Sequence, residues 1–216
     1  MPDLNASIRD IPIPQRMRSL PISDQGFPLP WFVARTYDGE PVPQAADPVK
    51  RLRAARLGLC WCCGQPVGVY KAFVIGPMCM VNHVTSEPAC HFECAEYAVK
   101  ACPYLSHPNM QRNPTEIGKV PPPGVMIERN PGVALIWTTR HFSSFRARDG
   151  GILFALGDPV HLLFFYEGRR ATRDEIMESI KTGVPRLQAE AAKEGLKAET
   201  ELALRLADAL LRVPED

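Results

Sequence analysis

Polar and apolar positions change period several times along this chain, and each change marks an element. In "ADPVKRLRAARLG" Asp47 can cap a helix, Pro48 suits its first position and Gly58 can close it. Val49, Leu52 and Arg56 or Leu57 supply its modest apolar stripe; Lys50, Arg51, Arg53 and Arg56 form a basic face that reads as solvated surface. The run "YKAFVIGPMCMVNHV" reads as two apolar strands about a Gly76-Pro77 turn. In "EPACHFECAEYAVKACP" Cys94, Tyr97 or Ala98, and Ala101 recur at helical spacing until Pro103 stops them.

Beyond the proline-rich linker "NMQRNPTEIGKVPPPG" come "VMIE", "GVALIWTT", "GILFAL" and "VHLLFFYEG". Their β-branched and aromatic content predicts a small antiparallel sheet. Thr172 and Glu175 then form a capping box, with Ile176 and Ile180 on one face and Gly183 placed to close that helix. Pro185 to about Leu211 predicts one helix or two, bent near Gly195.

Residues 1–46 alternate prolines with short apolar groups, which favours extended backbone. Residues 1–20 read as a flexible tail. Phe27, Trp31, Phe32 and Tyr37 are too apolar to leave wet and predict an arm or edge strand packed on the body.

Composition changes this picture in two places. Proline, 22 of 216 residues, predicts many loops, because it lacks the amide donor that helix interiors and central strands need. A net charge of +1 lacks the basic excess of a dedicated nucleic-acid binder, and no apolar run is long enough for a bilayer. Seven cysteines, an odd number without a visible secretion signal, point to a reducing, cytoplasmic setting and metal-bound thiols rather than a disulfide framework.

"GLCWCCGQP" places three thiols within four positions. Cys60 and Cys63, followed by Gly64, make a C-x2-C knuckle whose turn points both sulfurs one way and leaves Cys62 facing elsewhere. His91 and Cys94, three apart at a helix start, share a face. The pattern C-x2-C-x27-H-x2-C predicts one zinc ion held by Cys60, Cys63, His91 and Cys94 in a treble-clef-like arrangement of knuckle, hairpin and helix. Cys90 competes with His91 for the fourth place; the three-residue spacing favours His91. Three thiolates and an imidazole close the tetrahedron, so the ion is expected to be structural. Cys79 and Cys102 read as core residues.

The segments "LCWCCG", "AFVIGPMCMVNHVTSEPACHFECAEYAVKACPYL" and "EGRRATRDEIMESIKTGVPRL" resemble a family of uncharacterised proteins in bacterial and bacteriophage genomes, over about Phe27 to Leu187. The resemblance implies a phage or prophage setting and carries no activity. The family motif has a residue other than cysteine at the position of Cys62, in keeping with a non-ligand.

The expected fold is α+β: a proline-rich arm (1–46), a zinc module (47–113), a linker (114–124), a small α/β region (125–183) and a helical end (184–216). Arg140, Arg146, Arg148, Arg169 and Arg170, with nearby aromatic residues, are expected to form a cationic, aromatic-edged surface that grips a protein partner, in preference to nucleic acid. Two alternatives stand beside this non-catalytic interaction protein. One is a metal nuclease using His83 as base, with Asn82, His91 and Glu93 nearby; the other is a virion structural or accessory protein.

Overall fold

The computed structural model describes residues 3–108, 132–147 and 150–215. The linker, the "VMIE" strand and Arg148 lie outside them. The elements are β1 (Val33–Arg35), β2 (Pro41–Ala46), α1 (Pro48–Leu57), β3 (Lys71–Ile75), α2 (Pro77–Asn82), β4 (Val84–Thr85), α3 (Phe92–Ala101), α4 (Pro103–Ser106), β5 (Val133–Thr139), β6 (Phe142–Arg146), β7 (Ile152–Leu156), β8 (Pro159–Tyr166), β9 (Arg169–Arg170), α5 (Arg173–Glu194) and α6 (Leu196–Leu211). The fold is α+β with small antiparallel sheets and C-terminal helices.

Strand β5 organises the molecule. It pairs antiparallel with β3 on one side and β8 on the other, in the order β3-β5-β8-β9. All seven of its residues are buried, because both faces of the sheet are covered. Its alternation divides the interior in two. Ala134 and Ile136 face a cluster that holds the cysteines and α3, joined by Ala72 of β3 and Phe165 of β8. Val133, Leu135 and Trp137 face a second cluster with Phe73, Phe164, Met80 of α2, Ile176 and Ile180 of α5, and Leu202 and Ala209 of α6. A second sheet, β4-β7-β6, flanks this layer.

The α1 punctuation is as expected: Asp47 accepts hydrogen bonds from the amides of Val49 and Lys50, Pro48 opens the helix, and Gly58 closes it at φ +62°. Its apolar stripe is not. Val49 and Leu57 are largely exposed, and Ala54 is the buried residue of the helix. Three residues of the basic face are folded back onto aromatic rings: Lys50 and Arg53 lie over Trp31 of the arm, and Arg51 over Trp61 of the knuckle. α5 starts on the capping box of Thr172 and Glu175, with Ile176 and Ile180 buried.

Four expectations need correction. Gly76-Pro77 does not turn one strand into another; Gly76 is the N-cap and Pro77 opens α2, where a missing amide donor costs nothing. Gly183 does not end α5, which runs through Pro185 to Glu194. Gly183 serves a close approach instead: a β-carbon there would stand 2.7 Å from the Met78 side chain of α2. Residues 3–20 are not a loose tail, since Ile8 and Met17 are 2% and 3% exposed in the cysteine-side cluster. Tyr37, by contrast, is fully exposed beside the turn closed by Thr36 and Gly39, whereas Phe32 stacks on Trp61 at 4.8 Å.

Candidate metal centre

Once Gly58 has closed α1, the chain doubles back through an antiparallel bridge between Leu59 and Pro66. Within it the Cys60 amide donates to the Gln65 carbonyl at 2.7 Å and the Gly64 amide to the Cys60 carbonyl at 2.8 Å. Gly64 takes φ +75° with Trp31 against its α-carbon; a β-carbon would lie 2.6 Å from the indole. This tight turn is what aims Cys60 and Cys63 together. The second pair is placed by β3. Ala72 and Cys90 exchange both backbone hydrogen bonds, at 3.0 and 2.6 Å, so the chain enters α3 directly beneath the knuckle. His91 is the extended N-cap and Cys94 lies in the first turn.

The Sγ atoms of Cys60, Cys63 and Cys94 and a ring nitrogen of His91 lie within 4.8 Å of one another, and all four residues are buried. His91 Nδ1 stands 3.4 Å from Cys63 Sγ and 3.9 Å from Cys94 Sγ. An ion with zinc-like bonds of about 2.3 Å to sulfur and about 2.05 Å to nitrogen would set tetrahedral S···N separations near ~3.6 Å. The four side chains therefore fit a tetrahedral ion, and they could hold one.

Two further features fit the donors to a cation. His91 Nε2 lies 2.9 Å from the Pro66 carbonyl, which can only accept, so Nε2 carries the proton and Nδ1 offers its lone pair to the cluster. The His91 backbone amide, 3.4 Å from Cys60 Sγ, supports a thiolate there. The thiols themselves are crowded. Donation from Cys62, then Cys63, Cys90 and Cys94, holds Cys60 far below the usual thiol range, while Cys60 in turn pushes Cys63 and Cys94 up. Protein groups alone favour one thiolate in this nest. A divalent ion would let three thiols ionise side by side.

Cys62 and Cys90, which both reach Cys60, also contact each other, Sγ to Sγ 3.5 Å, and lie outside the four-donor group. His91, rather than Cys90, is therefore the residue grouped with the other three. Cys79 and Cys102 are partly buried.

The other candidates lie elsewhere. His83, at φ 56°, caps α2 and sits 5.0 Å from the Trp137 ring, with Nε2 3.7 Å from Asp208 of α6. Trp137 belongs to the second core cluster, on the face of β5 opposite the cysteines. Asn82 turns its carbonyl to Arg205, and Glu93 pairs with Arg16 at 3.1 Å.

The described arginines of that set do not form one patch. Arg140, at the end of β5, stacks on Tyr70 at 5.1 Å and donates to its hydroxyl. Arg169 and Arg170 pair with Tyr166 and Phe165, which stand opposite Val133 and Ala134 at the start of β5. The two groups are thus separated along the strand by roughly 20 Å. Arg169 lies over Tyr166 and forks onto both Glu175 oxygens at 2.9 and 2.6 Å; Arg170 lies over Phe165. Arg146 is on the other sheet and donates to the Gly150 carbonyl.

The supports of the four-donor cluster carry little signal in the sequence. Gln65 and Pro66 contribute through backbone carbonyls, which carry no residue signature. Met17 and Arg16 come from the presumed tail, where the apolar residues of "IPIPQRMRSL" were the available signal. Among the described residues no helix is long and apolar enough to cross a membrane. Comparison of the chain with family models, curated proteins and solved structures finds no match.

Proposed function

We propose that this is a non-catalytic interaction protein whose architecture is stabilised by one structural zinc ion. The observation that carries the reading is the donor set: three buried cysteines and one imidazole within 4.8 Å, with the imidazole's second nitrogen tied to a carbonyl. Four protein ligands saturate a tetrahedral ion and leave no place for the water that metal-assisted hydrolysis requires. Zinc is the ion that best suits a sulfur-rich tetrahedral site in a redox-neutral role. The order of knuckle, strand β3, returning Ala72–Cys90 bridge and α3 supports a treble-clef variant in which α2 and β4 elaborate the hairpin's connection.

The partner in this reading is a protein, met through exposed arginines stacked on aromatic rings, with the Arg169–Arg170 end as the principal contact. Stacking keeps the Arg170 guanidinium plane oriented while its donors stay open to a carboxylate; the fork of Arg169 is already taken by Glu175. The near-neutral net charge favours protein over nucleic acid, and the resemblance noted above supports a phage or prophage setting in a bacterial cytoplasm.

The experiment is affinity capture from the native host with the wild-type chain and an Arg169→Glu/Arg170→Glu variant, beside incubation with plasmid and single-stranded DNA with and without Mg2+ or Mn2+. A protein captured by the wild type and lost by the variant, without cleavage, is the expected result. Metal-dependent cleavage abolished by His83→Ala would replace this reading with a nuclease.

A further inference from the structure

One ion accounts for the thiols of Cys60, Cys63 and Cys94 and leaves Cys62 and Cys90, whose sulfurs stand 3.5 Å apart. Both also reach Cys60, which the ion engages. Each of the two comes from a different donor-bearing segment: Cys62 lies inside the knuckle, and Cys90 directly precedes His91. Backbone bonds hold them in register. The Trp61 amide donates to the Ala89 carbonyl at 2.9 Å, one residue before each cysteine, and Ala72 of β3 exchanges both its hydrogen bonds with Cys90. The Trp31 amide fixes the other side of the knuckle through the Cys62 carbonyl, at 2.6 Å. A disulfide bond is about 2.05 Å long, so an approach of about 1.5 Å joins the two sulfurs.

We propose that Cys62 and Cys90 are a redox-sensitive pair that closes into a disulfide when the protein meets a peroxide, joining covalently the two segments that the ion joins by ligation. One sulfur attacks a peroxide oxygen, becomes a sulfenic acid and releases water. The other then displaces the sulfenic hydroxyl, which leaves with the second thiol's proton as another water, and the S–S bond closes. Two thiols are oxidised, and one hydrogen peroxide is reduced to two waters. Burial, at 5% and 3% exposure, makes both thiols inert in the closed molecule. They react as the knuckle opens locally, so the pair answers sustained oxidant rather than a brief pulse. The bond spans 28 residues of chain and constrains the unfolded ensemble at the junction that loss of the metal would free. The oxidised form therefore keeps the four donors assembled when the ion leaves.

The test is incubation of the full-length zinc-loaded protein with hydrogen peroxide, then alkylation of free thiols and mass mapping of linked peptides, with Cys62→Ser and Cys90→Ser treated alongside. The expected product links Cys62 to Cys90, is absent from both variants, retains its zinc and is undone by dithiothreitol. Its thermal midpoint should rise by about 5 °C or more. After chelation it should keep the near-ultraviolet signal of Trp61 that the reduced protein loses. Zinc content of the reduced protein tests the metal reading by itself, and the peptide map tests the pair by itself. Absence of a Cys62–Cys90 link, a link made instead through Cys60, Cys63 or Cys94 with release of zinc, or a linked form no more stable than the reduced one would each overturn the proposal.

Discussion

The proton on His91 Nε2 is held by the Pro66 carbonyl, 2.9 Å away, so the knuckle loop and the first turn of α3 determine each other's geometry. The ring is thereby presented to the three sulfurs in one tautomer. In the metal-loaded protein, nitrogen-15 spectra should therefore show Nδ1 as the metal-bound nitrogen and Nε2 as protonated. Metal ligation through Nε2 would contradict the arrangement.

Removing one of the four donors should cost far more than removing a neighbouring thiol. Elemental analysis is expected to find about one zinc per chain. Cys60→Ser and Cys94→Ser should release it and unfold the surrounding region, since the binding energy of a structural zinc site is folding energy, about 10–16 kcal/mol in small zinc modules. Cys62→Ser should keep the metal. It disturbs the buried contacts with Cys90 and Cys60 and should lower stability by about 1–2 kcal/mol, read from thermal melts at equal metal content. Loss of zinc in Cys62→Ser would move that thiol into the coordination sphere.

The grouping of Cys60, Cys63, His91 and Cys94 was legible because ligand residue types at ligand spacing leave a mark in the sequence. So were the caps of α1 and α5, where Asp47, Pro48, Gly58, Thr172 and Glu175 act on backbone groups within a few residues. What the local pattern could not carry was tertiary. Gly76-Pro77 suits a turn and a helix start equally well, and the choice was made by Met80 and Val81 finding α5 and α6. Gly183 signals a helix end in isolation; here it clears space for Met78 from a segment about a hundred residues earlier. The pairing of β3 with β5, which joins the cysteine–histidine cluster to the later sheet, spans sixty residues or more and has no local trace.

The N-terminal arm should behave as core. Ile8 and Met17 are nearly inaccessible beneath the cysteine cluster, and Arg16 ties the arm to Glu93 of α3 and to Gln65 of the knuckle. Met17→Ala should destabilise the metal-loaded protein by about 2–4 kcal/mol, whereas Arg16→Ala, an exposed pair, should cost under about 1 kcal/mol. Urea unfolding measures both. A Met17→Ala variant as stable as the parent would return the arm to the status of a tail.

Acid should weaken the fold in two windows, and different residues govern them. Burial, with help from Arg205 and Arg212, lowers the His83 pKa from its ordinary value of 6.5, against the opposing pull of Asp208. A depressed histidine contributes stability above about pH 6.5, lost as pH falls and the unfolded chain takes up the proton first. His83→Asn, which tolerates the left-handed backbone at that position, should remove this dependence.

Glu175 governs the lower window. Its fork to Arg169, then its bonds to Thr172, hold the carboxyl at about 2, below its ordinary 4.5. For a depressed carboxylate the contribution is complete above pH 4.5 and fades as pH falls toward 2. Glu175→Gln retains a capping-box side chain but loses the charge, so the variant should be less stable than the parent by up to about 1 kcal/mol at pH 7. That gap should close as pH approaches 2. Urea midpoints of parent and variant compared at each pH cancel any acid loss of the metal, which is common to both; a gap independent of pH would show that Glu175 acts only as a neutral cap.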